Sequence, residues 1–308
     1  MLDTIVILLV ALSLFLGYNH EPILVGSPVR SGVLSRKNTL ILIIVGILLG
    51  TTLEGTKMGV SISIIENPKY HLFIPCILSS SLIVILLANL KKIPISLSQS
   101  LFGGIIAAYT LTGNFTAEKT FFILSTILSW LAIPILTLLS TYLIILSIDI
   151  LVGHFGILNT YITLKLLTIV SVFYISYVFG ANTLGFMLSF MNDNTYLLYL
   201  LLIGASVMGI VLAQKYIETK VSEEIYVLGV ESSFSAYIST SILIEIVTQI
   251  GIPMSITQSV TAGLLGVIFT RKFRLPNIKV IYEVILQWIL SPVISFILSI
   301  LLIYALIY

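Results

Sequence analysis

Twice along the chain a proline is followed by alternating hydroxyl side chains and an amide, all inside apolar sequence. The stretches are Ile93-Pro94-Ile95-Ser96-Leu97-Ser98-Gln99-Ser100 and Ile252-Pro253-Met254-Ser255-Ile256-Thr257-Gln258-Ser259. A dehydrated tetrahedral oxyanion needs hydrogen-bond donors in place of its water shell. The amino-terminus of a helix offers unpaired N–H groups and a partial positive charge. Pro94 and Pro253 are placed to start such helices, where a missing N–H costs little. Ser96, Ser98, Ser255 and Thr257 add hydroxyls, and Gln99 and Gln258 add amides. A single serine in a membrane more often packs a helix or bonds back to a carbonyl. Two matching breaks in two halves of one chain instead mark a transporter's binding site, and these six residues are the candidate anion cradle.

A second matching pair offers cation chemistry. Gly17-Tyr18-Asn19-His20-Glu21-Pro22 closes the first apolar run, and Gly180-Ala181-Asn182-Thr183-Leu184-Gly185 closes a run midway. Hard cations take oxygen ligands, so the amide oxygens of Asn19 and Asn182 are candidate sodium ligands. His20, with an unperturbed pKa of about 6.5, can load and release a proton, with Glu21 assisting. Neighbours on a helix point about 100° apart, so Glu21 serves the same site only if the backbone unwinds at Pro22. Sodium or a proton is the coupling ion these residues suit, and nothing calls for another cofactor. Glu54, Asp149, Lys165, Glu231 and Glu245 also lie in or beside apolar runs, where a charge marks a pair or a pathway. For Glu245, lateral pairing and a proton relay both remain open. Lys91 and Lys92 either snorkel to headgroups or draw anions toward the cradle.

These residues must be positioned by membrane-spanning helices. Of 308 residues, 58% are hydrophobic and 9% charged, with a mean hydropathy of +1.15, against roughly 25% charged in a soluble protein. A net charge of +2 gives no reason to expect nucleic acid. A lone cysteine, Cys76, excludes an internal disulfide. Apolar stretches near 2–19, 39–56, 71–90, 93–112, 120–147, 161–179, 195–213, 224–250, 252–270 and 280–306 predict an all-α polytopic protein, with kinks at Pro134 and Pro292. The first stretch lacks a basic leader and a cleavage site and is read as a retained span. Lys and Arg concentrate at Arg30–Lys37 and Arg271–Lys279, predicting that both loops are cytoplasmic and both termini outside. The equivalent loops of the other half, Asn192–Asn194 and Gly113–Lys119, lack that excess. Equivalent loops thus fall on opposite sides, which predicts two inverted-topology repeats, 1–148 and 149–308, with broken or re-entrant hairpins. Asn19 and Asn182 are 163 residues apart, and Pro94 and Pro253 are 159 apart; the near-constant offset supports the duplication.

Taken together the segments resemble the inorganic phosphate transporter family, which includes related sulfate permeases. That family carries G-A-N-D-x-A-N and P-V-S-T-T-H in each half. Here they read G-Y-N-H-E-P-I and G-A-N-T-L-G-F, then P-I-S-L-S-Q and P-M-S-I-T-Q. The resemblance implies re-entrant hairpins, phosphate held at Ser96, Ser98, Ser255 and Thr257, cations held at Asn19 and Asn182, and a homodimer. The family's aspartates are His20 and Thr183 here, its later asparagines are Ile23 and Phe186, and its histidines are Gln99 and Gln258.

The leading expectation is a secondary transporter of inorganic phosphate in the cell membrane, coupled to sodium or protons by alternating access. Sulfate or another tetrahedral oxyanion is the nearest alternative substrate. The lost aspartates keep open a transport-inactive sensor or assembly paralogue. An enzyme is disfavoured, since the sequence holds no H-E-x-x-H, G-x-S-x-G or P-loop.

Overall fold

The computed structural model describes residues 2–59, 72–91, 95–113, 115–191, 196–213, 230–271 and 278–307. The apolar stretches become ten long helices: α1 (Leu2–Glu21), α2 (Arg36–Glu54), α3 (Phe73–Lys91), α4 (Leu97–Thr112), α5 (Ala117–Val152), α6 (Ile157–Val178), α7 (Tyr196–Leu212), α8 (Val230–Thr248), α9 (Ile256–Arg271) and α10 (Ile278–Ile307). The division at 148/149 falls inside α5, which runs on to Val152. Among the described residues, seven helical segments are long and apolar enough to span a membrane. The protein is an all-helical, multi-pass membrane protein. The helices α4 and α9 have 16 residues each, about 24 Å at 1.5 Å per residue, short of a hydrocarbon core of about 30 Å.

Each half packs with the other in matching pairs. The helix α1 lies on α7, as α6 lies on α2; α4 lies on α10, as α9 lies on α5; α3 lies on α10, as α8 lies on α5. Within the halves, α1 meets α3 as α6 meets α8, and α3 meets α4 as α8 meets α9. Glycines set the closest of these crossings. A Cβ on Gly209 of α7 would stand 1.9 Å from the Leu14 carbonyl oxygen of α1, and one on Gly50 of α2 would stand 1.8 Å from that of Tyr177 of α6. In lipid no hydrophobic force draws helices together, so such close backbone packing carries the association. Gly46-Ile47-Leu48-Leu49-Gly50 is a small-xxx-small face spent inside the chain: a Cβ on Gly46 would come within 2.7 Å of the Phe173 carbonyl oxygen.

Both long prolines sit within continuous helix, Pro134 in α5 and Pro292 in α10. The α1 and α6 helices instead loosen at their ends into π-helical turns, Pro22–Gly26 and Phe179–Leu184, so the backbone does depart from the α-helix at Pro22.

Gly50→Ala should lower the thermal unfolding midpoint in detergent, at a cost of about 1–3 kcal/mol or more for forcing α2 from α6. Gly204→Ala on α7, where an added Cβ meets nothing within 4 Å, should leave it unchanged. Equal midpoints for the two would show that the α2–α6 approach is not needed for stability.

Candidate functional site

The two cradle segments start helices, though not at their prolines. Ser96 caps α4, its Oγ accepting the Gln99 N–H at 3.2 Å, and Ser255 caps α9 by accepting the Gln258 N–H, also at 3.2 Å. Serine is a favoured N-cap because its oxygen satisfies one of the N–H groups left over in the first turn. Pro253 lies two residues before its cap in non-helical backbone; Pro94, like Lys92, lies outside the described residues. The chain enters the second break through Gly251, whose φ of 72° is a left-handed conformation that glycine takes without strain.

The expected cation residues turn out to hold these breaks in place. Asn19 Oδ1 accepts the Ile95 N–H at 3.2 Å, and Asn182 Oδ1 accepts the Met254 N–H at 2.8 Å. Their amide groups also donate in parallel: Asn19 to Asn89 Oδ1 at 2.7 Å, and Asn182 to Thr248 Oγ1 at 2.9 Å. Asn182 further donates to the Ile252 carbonyl at 3.0 Å. Each asparagine replaces for one non-helical segment the backbone partner that a helix would have given it, as burial demands. One lone pair on each oxygen is therefore already in use. No group of three or more His, Cys, Asp or Glu side chains among the described residues could hold a metal ion.

The two breaks meet. Gln99 Nε2 donates to Gln258 Oε1 at 3.2 Å, joining the first turns of α4 and α9. His20 Nε2 lies 3.2 Å from Thr257 Oγ1, and Thr257 also faces the Ile95 carbonyl at 3.5 Å. His20 thus links α1, the first break and the first turn of α9. Its Nδ1 sits 3.0 Å from the Leu16 carbonyl, which can only accept, so Nδ1 carries a proton and the neutral ring offers Nε2 as an acceptor to Thr257. The ring also stands against Phe179, centroids 5.1 Å apart. Ser96, Ser98, Gln99, Ser255, Thr257 and Gln258 are all buried, as are Asn19, His20, Glu21, Asn182 and Thr183. Thr183 Oγ1 has no partner among the described residues.

Glu21 does not supply a free carboxylate. Its Oε1 pairs with Arg36 Nη1 at 3.1 Å, which neutralises the charge that would have stood in for the family's aspartate. Glu245 has lateral partners: Gln249 donates to it and, at 3.1 Å, to Glu54 Oε2, while Lys57 pairs with Glu54 at 3.1 Å. Lys165 is exposed and Asp149 half-buried.

Sequence reading passed over a tryptophan that grips the second cradle. Trp130 Nε1 donates to the Pro253 carbonyl at 3.0 Å, and the Trp130 carbonyl accepts Gln258 Nε2 at 3.1 Å. That carbonyl is free because the residue four further on is Pro134, which has no N–H to return to it. The signal was present as W-x-x-x-P, Trp130 to Pro134 and Trp288 to Pro292, using both tryptophans of the chain.

Asn182→Ala should leave the Met254 N–H buried and unpaired, costing about 1–3 kcal/mol. Faster amide hydrogen exchange at Met254 and a lower unfolding midpoint would register it; unchanged exchange would show that the asparagine does not hold the break.

Comparisons with known proteins agree with this architecture. The model of the family described as the phosphate transporter family matches residues 16–175 and 158–299, two segments that together take in most of the chain. A candidate phosphate permease of Methanocaldococcus jannaschii is 25% identical over 283 residues, covering 89% of this chain and 87% of that one. A solved structure titled the sodium-dependent phosphate transporter superposes with a TM-score of 0.86 at 18% identity, covering 99% of this chain and 98% of the other. Interrupted helices braced by asparagine and capped by serine, matched between the halves, thus sit in a chain that belongs to the phosphate transporter family.

Proposed function

We propose that the protein carries inorganic phosphate across the cell membrane as a secondary transporter, by alternating access and driven by a cation gradient. The observation that carries this is the meeting of two serine-capped helix starts through the Gln99–Gln258 bond. Two helix amino-termini present unpaired N–H groups and converging positive ends to an anion without a full countercharge. Ser98, in the first turn of α4, adds a hydroxyl donor, while Thr257, at the same place in α9, lies against His20 and the Ile95 carbonyl. The paired packing of the halves supports two repeats, and the Lys and Arg distribution favours their inverted topology with both termini outside; rocking about the shared cradle exposes it to each side in turn.

The coupling ion is a proton taken up at His20. With the neutral ring, Thr257 donates to Nε2. Once Nε2 is protonated it donates to the Thr257 oxygen, and the hydroxyl proton turns to the Ile95 carbonyl, 3.5 Å away. One proton thereby reorients a hydroxyl in the first turn of α9 and puts a positive charge beside the anion. Sodium is the second reading. It is favoured by the likeness to a sodium-dependent phosphate transporter and by the Thr183 hydroxyl, which has no partner among the described residues.

Uptake of labelled phosphate into proteoliposomes, with proton and sodium gradients imposed separately, tests both readings. An outside-acid gradient should drive accumulation, and His20→Gln should abolish that stimulation. Accumulation driven by sodium alone, with His20→Gln behaving as wild type, would establish the sodium reading in its place. Ser255→Ala, which removes a cap worth about 1 kcal/mol, should raise the half-saturating phosphate concentration several-fold. Phosphate binding without movement across the bilayer would point to a sensor.

A further inference from the structure

Resting on the transport reading above, we propose that Gln99 is the residue that selects phosphate over sulfate, because its orientation presents the cradle with a hydrogen-bond acceptor. The orientation is dictated in steps. Pro134 gives no N–H to the Trp130 carbonyl, so that oxygen remains open and accepts Gln258 Nε2 at 3.1 Å. A carbonyl can only accept, so the NH2 end of Gln258 faces Trp130 and its Oε1 faces Gln99. Gln99 must then turn its own NH2 toward Gln258, and it does, at 3.2 Å. What is left is Gln99 Oε1, in a side chain only 2% exposed, with no hydrogen-bond partner among the described residues.

Helix N–H groups and serine hydroxyls serve any oxyanion alike. The buried hydroxyls of Ser100 and Ser259 also lack partners among the described residues, but a hydroxyl turns to donate or accept and so does not discriminate. An amide oxygen only accepts. Throughout the neutral range inorganic phosphate keeps at least one P–OH, which can donate to it. Sulfate keeps no proton and would set a negative oxygen against a buried acceptor. A site built to pair a ligand's hydroxyl rejects the analogue without one far more strongly than a site that merely fits its shape.

The test is competition against labelled phosphate uptake in proteoliposomes at neutral pH, using sulfate, arsenate and monofluorophosphate. Arsenate retains a hydroxyl at that pH; monofluorophosphate, like sulfate, does not. In the wild type, phosphate and arsenate should compete at least about tenfold better than sulfate and monofluorophosphate. Gln99→Leu should narrow that ratio by about tenfold or more. Pro134→Ala alters no cradle residue. It returns an N–H to the Trp130 carbonyl, releases Gln258 and lets Gln99 turn, so it too should narrow the ratio, and alanine in a helix interior favours folding. Equal competition by all four anions in the wild type would overturn the assignment, as would an unchanged ratio in Pro134→Ala and in any folded Gln99→Leu protein. Absence of saturable oxyanion uptake in the wild type would instead remove the transport reading, and the inference with it.

Discussion

Stretches of non-helical backbone deep in an apolar protein are tolerable only if every N–H and C=O finds a partner. Here the requirement is met at two places by the same means. An asparagine oxygen takes the N–H of Ile95 or Met254, and a serine oxygen takes the N–H of Gln99 or Gln258. Everything else at the centre follows from these bonds. They fix where α4 and α9 begin, and hence where their positive ends lie. The two first turns come close enough for their glutamines to join across the halves.

This division of labour gives physical content to the missing carboxylates. In the family pattern an aspartate follows each asparagine; here those positions are His20 and Thr183. The asparagines keep work that does not depend on a cation, namely the bracing of the breaks. Charge balance has changed around that frame. Glu21 is spent on Arg36, leaving a neutral imidazole and a hydroxyl where two negative charges would stand. Such a site has less to attract sodium and a group able to accept a proton.

Much of this was legible beforehand, because long apolar runs and duplicated prolines leave few alternatives in lipid. Ten stretches became ten helices, and the Ser96 and Ser255 segments lie together as the duplication implied. The precise helix starts were less accessible. Pro94 and Pro253 looked like first helical residues, yet Ser255, two places after Pro253, is the cap, because a side-chain acceptor settles the first turn more firmly than a preset φ. The bracing by Asn19 and Asn182 was hidden, since an amide oxygen reads equally as a cation ligand or a backbone acceptor until its neighbour is seen. The repeated W-x-x-x-P and the Gly46–Gly50 face were in plain view. Their meaning depended on which helix lay opposite, and periodicity alone does not give that. Glu245 likewise needed Glu54, far away in the chain and joined to it through Gln249, to become a lateral pair.

The exchange of partners between halves bears on how such a protein comes into being. The helix α1 lies against α7, and α2 against α6, with backbone approaches set by Gly209 and Gly50. Neither half therefore completes its own interior. As the chain emerges from the ribosome, the first five helices wait in the bilayer with glycine grooves unfilled until their counterparts arrive. The same geometry constrains truncation: a chain cut to half its length would leave the grooves at Gly50 and Gly209 without the helices that fill them.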